Sequence, residues 1–279
     1  MIETRTLTVG EHAFTVDLAG PESGPPVLLL HGFPETRHMW RAQLEALGAQ
    51  GFRAAAPDQR GYSAGARPAG TEAYDTANLI ADALGLMHAL GADRFDLVGH
   101  DWGGQIAWLI AAGHTERVRS LSVFSRPHPA AFARAMAEDK AQAERSRHHR
   151  AFREADAVAR MRAANLKPLR EAVLSQGVPP DSAEIYMSTL MEPGGIEGAM
   201  SWYRATGIAA ADTPAVSVST LYVWGEADAT VGRRAAELTA DYVTGPYRFE
   251  TLPEAGHFLV DQFPARISAL IAEHLAARP

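Results

Sequence analysis

Short apolar runs alternate along the chain with segments in which apolar residues recur every three or four positions. Such runs are typical of strands covered on both faces of a sheet, and they lie at residues 27–30, 52–56, 95–98, 118–124, 220–224 and 247–252. Helical spacing follows most of them, as at Leu79, Ile80, Leu84, Met87 and Leu90. Two further short strands are expected at residues 7–9 and 13–16, joined by a turn. The pattern predicts an α/β fold with a mostly parallel, eight-stranded sheet and helices on both faces.

One long segment breaks this alternation. From about Pro127 to about Pro214 the sequence is rich in Ala, Arg and Glu, with helical spacing and no clear strand. A helical block inserted between two strands of such a sheet would lie over their carboxyl ends, where α/β folds bind ligands. We therefore expect a core of residues 1–126 and 215–279, and a helical cap, or lid, of residues 127–214.

A carboxylate is predicted at the tip of a tight turn between a strand and a helix. The sequence Gly99-His100-Asp101-Trp102-Gly103 follows one strand and precedes a helical run. This is the G-x-S-x-G nucleophile elbow with aspartate in place of serine. A turn-stabilising aspartate at a helix start is the competing interpretation, and the elbow glycines together with an acid and a histidine later in the chain argue against it. Aspartate is already ionised near neutral pH, so it needs no base before it attacks.

The aspartate changes the class of substrate. Attack on an ester or amide carbonyl would form an anhydride, which returns starting material as readily as product. Attack on an sp³ carbon that bears a strained or good leaving group forms an ordinary ester, which water can later cleave. Asp101 therefore predicts a hydrolase of alkylating electrophiles.

Two later residues complete a catalytic set in the chain order nucleophile, acid, base that accompanies such an elbow. Asp228 follows the strand at 220–224, and His257 follows the strand at 247–252. His257 would take a proton from the water that attacks the ester, while Asp228 would fix the tautomer of His257 and stabilise its imidazolium. Glu226 is the competing candidate for the acid.

Backbone donors for the ester-cleaving step are also predicted. The loop at residues 31–34 follows the strand at 27–30, where such sheets supply an oxyanion donor. The N–H groups of Phe33 and Trp102 would point at the carboxylate of Asp101 and stabilise the oxyanion formed when water attacks. Each such donor commonly contributes roughly 3–4 kcal/mol.

Three motifs make the chain similar to a known family. They are His31-Gly32-Phe33-Pro34, Asp58-Gln59-Arg60-Gly61-Tyr62-Ser63 and Gly99-His100-Asp101-Trp102-Gly103-Gly104. In order and spacing they resemble the epoxide hydrolase and haloalkane dehalogenase branch of the α/β-hydrolase superfamily, over nearly the whole chain. The resemblance implies an α/β-hydrolase fold and a small apolar epoxide, or an alkyl halide, as substrate.

The resemblance also implies lid residues that hold the substrate. In epoxide hydrolases two lid tyrosines grip the epoxide oxygen and protonate it. Tyr203 stands in the place of the second and His148 in the place of the first. A neutral imidazole can donate a hydrogen bond as a phenol does, so His148 is expected to share the role. The other residues expected around the pocket are His31, as a hydrogen-bonding residue rather than a proton carrier, Pro34, Trp202 and His149.

Two alternatives stay open. One is a haloalkane or haloacid dehalogenase with the same nucleophile, and with Trp102 and Trp202 as candidate halide donors. Phe33 stands where many haloalkane dehalogenases have asparagine, and Trp102 and Gln105 stand where haloacid relatives have carboxylate-binding arginines. An epoxide leaves as an alkoxide, a poorer leaving group than halide, and Tyr203 supplies the acid it needs. The other alternative is a non-catalytic, ligand-binding homologue.

Composition narrows the remaining classes of function. The net charge of -7 over 279 residues leaves no broad basic surface for nucleic acid. There is no cysteine, no H-E-x-x-H spacing and no glycine-rich phosphate loop after a strand, so neither a metal nor a cofactor is expected. No basic leader and no apolar run of about 18 residues occurs, so the sequence predicts a cytoplasmic enzyme without a membrane segment. A homodimer is a candidate assembly.

Overall fold

The computed structural model describes residues 1–205 and 210–277. Within these ranges eight strands form one sheet. They are β1 (Ile2–Val9), β2 (His12–Ala19), β3 (Pro26–Leu30), β4 (Arg53–Pro57), β5 (Phe95–His100), β6 (Val118–Phe124), β7 (Ser219–Gly225) and β8 (Tyr247–Leu252). Their order is β1-β2-β4-β3-β5-β6-β7-β8, with β1 and β2 antiparallel, β2 antiparallel to β4, and all other pairs parallel. The predicted mostly parallel, eight-stranded sheet is confirmed.

Helices fill the connections between the strands. Three belong to the first half of the chain: α1 (Arg41–Ala49), α2 (Thr76–Ala89) and α3 (Asp101–Gly113). Seven follow β6: α4 (Pro129–Glu138), α5 (Lys140–Arg145), α6 (Arg147–Arg153), α7 (Ala157–Ala163), α8 (Lys167–Ser175), α9 (Pro180–Met191) and α10 (Gly195–Arg204). The last are α11 (Arg233–Leu238), α12 (Leu259–Gln262) and α13 (Pro264–Ala277). In the described ranges, none of the helices combines the length and apolar character needed to cross a membrane.

The central strands are covered on both faces. Helix α1 packs against α13 and α2 packs against α3, so the helices form two groups with the sheet between them. Every residue of β5 is buried, whereas the edge strand β1 alternates between half-buried and exposed residues. Continuous burial explains why the central strands have no polar alternation in sequence. Because β3 and β5 to β8 are parallel, the loops after them meet at one edge of the sheet.

The segment between β6 and β7 contains helices and turns, and no strand, within its described residues. We call α4 to α10 the helical insertion. Its side chains contact the residues that follow β3 and β5: the ring of Phe152 lies 5.4 Å from that of Phe33, and the ring of Tyr203 lies 5.2 Å from that of Trp102. The insertion therefore brings aromatic side chains to the carboxyl edge of the sheet.

Candidate active site

Asp101 lies at the tip of the turn that joins β5 to α3. Its φ angle of 47° is in the left-handed region, which residues other than glycine seldom adopt and which is common at functional sites. The turn is tight because its glycines carry no side chain. A Cβ at Gly99 would lie 2.5 Å from the carbonyl oxygen of Gly103, and a Cβ at Gly103 would lie 2.1 Å from that of Leu30. The spacing of glycines around Asp101 is thus a steric requirement.

The carboxylate of Asp101 is nearly buried, with the residue 9% exposed. Its Oδ1 accepts a hydrogen bond of 3.0 Å from the backbone N–H of Phe33, and its Oδ2 lies 3.5 Å from Nε2 of His257. Burial alone would raise the pKa of Asp101. The contact with His257, and the positive charge there, outweigh burial and hold the pKa of Asp101 well below its ordinary value. Asp101 is therefore an anion at neutral pH.

Of the two predicted oxyanion donors, the structure brings the Phe33 N–H onto the carboxylate. The loop can approach because a Cβ at Gly32 would lie only 2.5 Å from Cβ of Asp101. In the described residues, the backbone N–H of Trp102 donates no hydrogen bond to that carboxylate. It belongs to the first turn of α3, where backbone N–H groups have no partner within the helix, so it remains available to a charge that forms later.

His257 lies between two carboxylates. Its Nδ1 is 3.0 Å from Oδ2 of Asp228, and its Nε2 faces Asp101. Because a carboxylate only accepts, Nδ1 carries a proton and Nε2 is directed toward the reaction. Burial lowers the pKa of His257, but the negative charges of Asp228 and Asp101 outweigh burial and raise it well above the ordinary value. Any loss of the negative charge on Asp101 would remove part of this stabilisation of the imidazolium and would lower the pKa of His257.

Asp228 is held by the turn that follows β7. Its Oδ1 accepts hydrogen bonds from the N–H groups of Thr230, at 2.6 Å, and Val231, at 3.0 Å, and the residue is 2% exposed. Glu226, the competing candidate, forms an ion pair with Arg233. Asp228 is therefore the acid that contacts His257 in this structure.

A buried pair behind these residues was not identified from the sequence. Oε2 of Glu35 lies 2.7 Å from Nδ1 of His100, and Nε2 of His100 lies 2.8 Å from the backbone oxygen of His257. Both side chains are fully buried. Burial lowers the pKa of His100, but the charge of Glu35 outweighs it and raises the pKa, so His100 donates from both nitrogens. Glu35 and His100 anchor the loop that carries His257. In the sequence, the only indication of this role was that Glu35 follows Pro34 and His100 precedes Asp101.

Tyr203, on α10, is placed near Asp101 by the helical insertion. The residue is 4% exposed, and its ring packs edge-on against Phe33, Trp102 and Phe152 with centroids 5.4, 5.2 and 5.0 Å apart. Burial, and then the charge of Asp101, raise the pKa of Tyr203 well above its ordinary value. The phenol therefore keeps its proton across the neutral range and can serve as a donor.

His148, on α6, lies at the same cavity as Tyr203. Its Nδ1 lies 3.1 Å from the backbone oxygen of Arg145. A carbonyl oxygen only accepts, so Nδ1 carries the proton, and in the neutral ring Nε2 is an acceptor. Burial lowers the pKa of His148, which favours this neutral form. In this tautomer His148 has no proton on Nε2, so its share in the donor role stays a prediction.

A cavity of about 420 Å³ joins these groups. Among the residues that line it are Asp101, His257, Tyr203, His148, Phe33 and Pro34. Pro34 thus lies at the pocket as expected. Much of the remaining wall is apolar, with side chains such as Phe152, Leu169, Val173 and Phe258. An apolar body with one reactive carbon fits this lining.

Three residues predicted for the pocket lie elsewhere. His31 is fully buried, and its two ring nitrogens contact a backbone carbonyl and the N–H of Gln59, which leaves it a structural role. Trp202 donates its indole N–H to the backbone oxygen of Arg60 at 2.8 Å, so that N–H is not available to a halide. Trp202 and His149 line a neighbouring cavity instead.

The arrangement can form an ester and then cleave it. Asp101 is an anion beside a cavity, Tyr203 is a protonated acid on the same cavity, and His257 is a base held by Asp228. Within the described ranges, no group of three or more His, Cys, Asp or Glu side chains is arranged to hold a metal ion.

Comparison with known proteins gives consistent matches. The model of the alpha/beta hydrolase fold family matches residues 25–264. The chain is 34% identical to the mouse (Mus musculus) protein named "Epoxide hydrolase 4" over 91% of this chain and 73% of that protein. It is 31% identical to "Epoxide hydrolase A" of Mycobacterium tuberculosis over 92% of both chains.

Solved structures give the same result. A structure described under "Novel epoxide hydrolases belonging to the alpha/beta hydrolases superfamily in metagenomes from hot environments" matches with a TM-score of 0.89 at 27% identity, over 100% of both chains. The epoxide hydrolase of Bacillus megaterium in complex with an inhibitor matches with a TM-score of 0.89 at 26% identity, over 98% of this chain and 100% of that chain.

Proposed function

The chain belongs to the epoxide hydrolase family of the α/β-hydrolase fold and is a hydrolase of epoxides, and we propose that it forms a vicinal diol through an ester on Asp101. The observation that carries this mechanism is the placement of ionised Asp101, His257 and protonated Tyr203 on one cavity. Asp101 and Tyr203 have the protonation states that ring opening requires.

In the first step Asp101 attacks a ring carbon of the epoxide. The carbon–oxygen bond of the ring breaks, and the oxygen takes the proton of Tyr203, so that a hydroxyalkyl ester and a tyrosinate form. The raised pKa of His257 means that the resting site holds an imidazolium. After Asp101 becomes an ester, this imidazolium is more acidic and returns a proton to Tyr203, directly or through water.

In the second step the neutral imidazole of His257 takes a proton from water. The hydroxide attacks the carbonyl carbon of the ester, and the resulting oxyanion is stabilised by the N–H of Phe33, with that of Trp102 as the further candidate. Collapse breaks the bond between the carbonyl carbon and the alkoxide oxygen. The diol leaves with the proton of the new carboxyl group, and Asp101 and the imidazolium of His257 are restored.

An epoxide suits this site better than an alkyl halide. The alkoxide produced by ring opening needs a proton, and Tyr203 is a buried phenol that can give one. A halide needs hydrogen-bond donors instead, and the indole N–H of Trp202 is already bonded to the backbone oxygen of Arg60. Phe33 offers only an apolar side chain at the position where many haloalkane dehalogenases have asparagine.

We further propose that residues 127–214 act as a cap over a core of residues 1–126 and 215–279. The described helices of this segment begin at Pro129, and its last described turn ends at Asp212. Tyr203 and His148 come from it, whereas in the core Asp101 begins α3 and His257 lies on the loop after β8. The cap thus supplies the acid and the core supplies the nucleophile and base.

Hydrolysis of styrene oxide tests this proposal. The wild-type protein should release the diol, and Asp101→Asn should lose about a thousand-fold or more of that activity, because the amide is neutral and a far weaker nucleophile. Asp181→Asn, at an exposed carboxylate on α9, is the matched control and should keep wild-type activity. Activity retained by Asp101→Asn would contradict the proposed nucleophile. Inactivity of the wild type on aryl and alkyl epoxides, with activity on haloalkanes, would favour the dehalogenase.

A further inference from the structure

A second cavity, of about 320 Å³, lies next to the reaction site. Trp102 and His149 belong to its wall, and both pack edge-on against Tyr203, with ring centroids 5.2 and 5.4 Å apart. Tyr203 itself lines the first cavity. The two cavities are therefore neighbours across these aromatic rings, and a ligand in the second would touch the residues that position the acid.

Arg126 brings a positive charge to this second cavity. Its Nε donates a hydrogen bond of 2.9 Å to Oε1 of Gln105, and its Cζ lies 4.3 Å from the centroid of the Phe132 ring. In the part of the chain that the structure describes, Arg126 forms no ion pair. Burial lowers the pKa of Arg126, and the negative charge of Asp101 offsets that lowering only in part.

The fold holds Arg126 in a defined place. Its backbone oxygen accepts the indole N–H of Trp108 at 2.9 Å. Its side chain passes Gly104 closely, since a Cβ there would lie 2.9 Å from Cβ of Arg126. Gln105, which holds the guanidinium, is itself buried. The arginine is thus oriented by its neighbours before any ligand arrives, which is a feature of binding sites rather than of solvated surface charges.

A second guanidinium lies on the same wall. Arg153 lines this cavity, and its Nε donates to the backbone oxygen of Tyr203 at 2.7 Å. Arg153 likewise forms no ion pair within the described residues. Burial and then the charge of Arg126 lower the pKa of His149 to about 3, so this histidine is neutral at physiological pH.

The rest of the wall is apolar or neutral. No carboxylate is among its described lining residues, which include Leu79, Phe132 and Met136. The guanidinium groups of half-buried Arg126 and exposed Arg153 are thus the charged groups on an otherwise neutral wall. The planar guanidinium pairs with a carboxylate through two parallel hydrogen bonds, and the apolar wall would cover a hydrocarbon body.

We propose that this cavity, the Arg126 cavity, binds a carboxylate attached to an apolar body, with Arg126 and Arg153 on the carboxylate. The sequence offered no such clamp, because Gln105 stands where haloacid relatives have an arginine. In the structure Gln105 instead orients Arg126, which lies on the loop after β6. The carboxylate belongs either to the epoxide substrate itself, in which case the inference rests on the proposed function, or to a separate ligand beside Tyr203.

Binding of hexanoate, with neutral hexanamide as the matched probe, tests the site without any turnover. The wild-type protein should bind hexanoate at least about ten-fold more tightly than hexanamide, measured by calorimetry, since charged hydrogen bonds are stronger than neutral ones. Arg126→Met and Arg153→Met should each reduce that preference, and Arg126→Lys should keep part of it. Arg134→Met, at an exposed arginine paired with Glu138, is the control and should keep it in full. Equal binding of the two probes, or a preference that survives Arg126→Met and Arg153→Met, would overturn the proposal.

Kinetics distinguish the two sources of the carboxylate. If the substrate carries it, kcat/KM for ω-epoxyhexanoate should exceed that for ω-epoxyhexanamide by about ten- to a hundred-fold. This ratio should fall toward one in Arg126→Met, and hexanoate should compete with the substrate. If the ligand is separate, the ratio should be near one, and hexanoate should alter kcat for styrene oxide in the wild type but not in Arg126→Met. The absence of both effects would overturn the site. Inactivity on every epoxide would contradict the proposed function alone, because the binding test does not need turnover.

Discussion

Replacing Tyr203 with phenylalanine separates chemistry from packing, because it removes one oxygen and keeps the ring. The ring is 4% exposed and lies 5.4, 5.2, 5.4 and 5.0 Å from the rings of Phe33, Trp102, His149 and Phe152. Phenylalanine preserves these contacts. Loss of the hydroxyl should change the free energy of unfolding by only about 1 kcal/mol.

The effect on ring opening should be much larger. A positioned general acid commonly accelerates its step by about 10²–10⁴-fold, which corresponds to a barrier difference of about 3–5 kcal/mol. Neutral His148 presents an acceptor and cannot replace the lost donor. Since the pKa of Tyr203 is raised well above its ordinary value, the loss should be the same across the neutral pH range.

Single-turnover measurements with excess enzyme and styrene oxide can resolve the two steps. Tyr203→Phe should slow ester formation by at least about a hundred-fold and leave ester hydrolysis nearly unchanged, with a melting temperature lowered by no more than about 2–4 °C. Phenethyl bromide is the control substrate, because bromide leaves without a proton. Tyr203→Phe should therefore not slow ester formation from this bromide. Ester formation within about three-fold of wild type, or equal losses in both steps, would refute the assignment of Tyr203 as the acid.

Three further changes test other parts of the site. Asp228→Asn removes a charge that raises the pKa of His257. The acidic limb of the pH profile for ester hydrolysis should therefore move to lower pH, and the rate should fall by about 10⁴-fold. An acidic limb that stays in place would contradict this. His148→Tyr introduces a phenolic donor and should raise the single-turnover rate of ester formation from styrene oxide by up to about ten-fold. An unchanged or slower rate of ester formation would count against the tautomer assigned here. Gly103→Ala places a Cβ 2.1 Å from the backbone oxygen of Leu30. Denaturant titrations should show a free energy of unfolding that is lower by at least about 3 kcal/mol. A loss below about 1 kcal/mol would show that the turn relaxes around the new side chain.

Much of the fold was predictable because it depends on local patterns. The apolar run at 27–30 and the helical spacing before Gly91 each marked one element, and the corresponding β3 and α2 begin and end within a few residues of those segments. Strand β1 is longer than expected because its outer residues pair with β2 at the sheet edge, where apolar side chains are not required. The individual helices of the insertion were not predicted, since their apolar faces depend on neighbours far away in the chain.

The site was predictable where a residue lies on the turn or loop that follows a strand. Asp101 and His257 follow strands that end at the same edge, so sequence position nearly fixes their location. Adjacent residues on a helix point about 100° apart, so Tyr203 and Trp202 face different cavities. The sequence does not reveal which of the two side chains the helix turns toward Asp101. The place of Arg126 depends on a partner 21 positions away, a contact that only the folded chain makes.

The covalent ester is the central claim, and mass spectrometry of His257→Gln treated with styrene oxide tests it most directly. With the base removed, ring opening should continue while ester hydrolysis stops. The peptide that contains Asp101 should then gain the mass of one whole epoxide, and the gain should be absent in the double variant with Asp101→Asn. A protein that stays unlabelled while it turns over epoxide, or a label on another residue, would contradict the account.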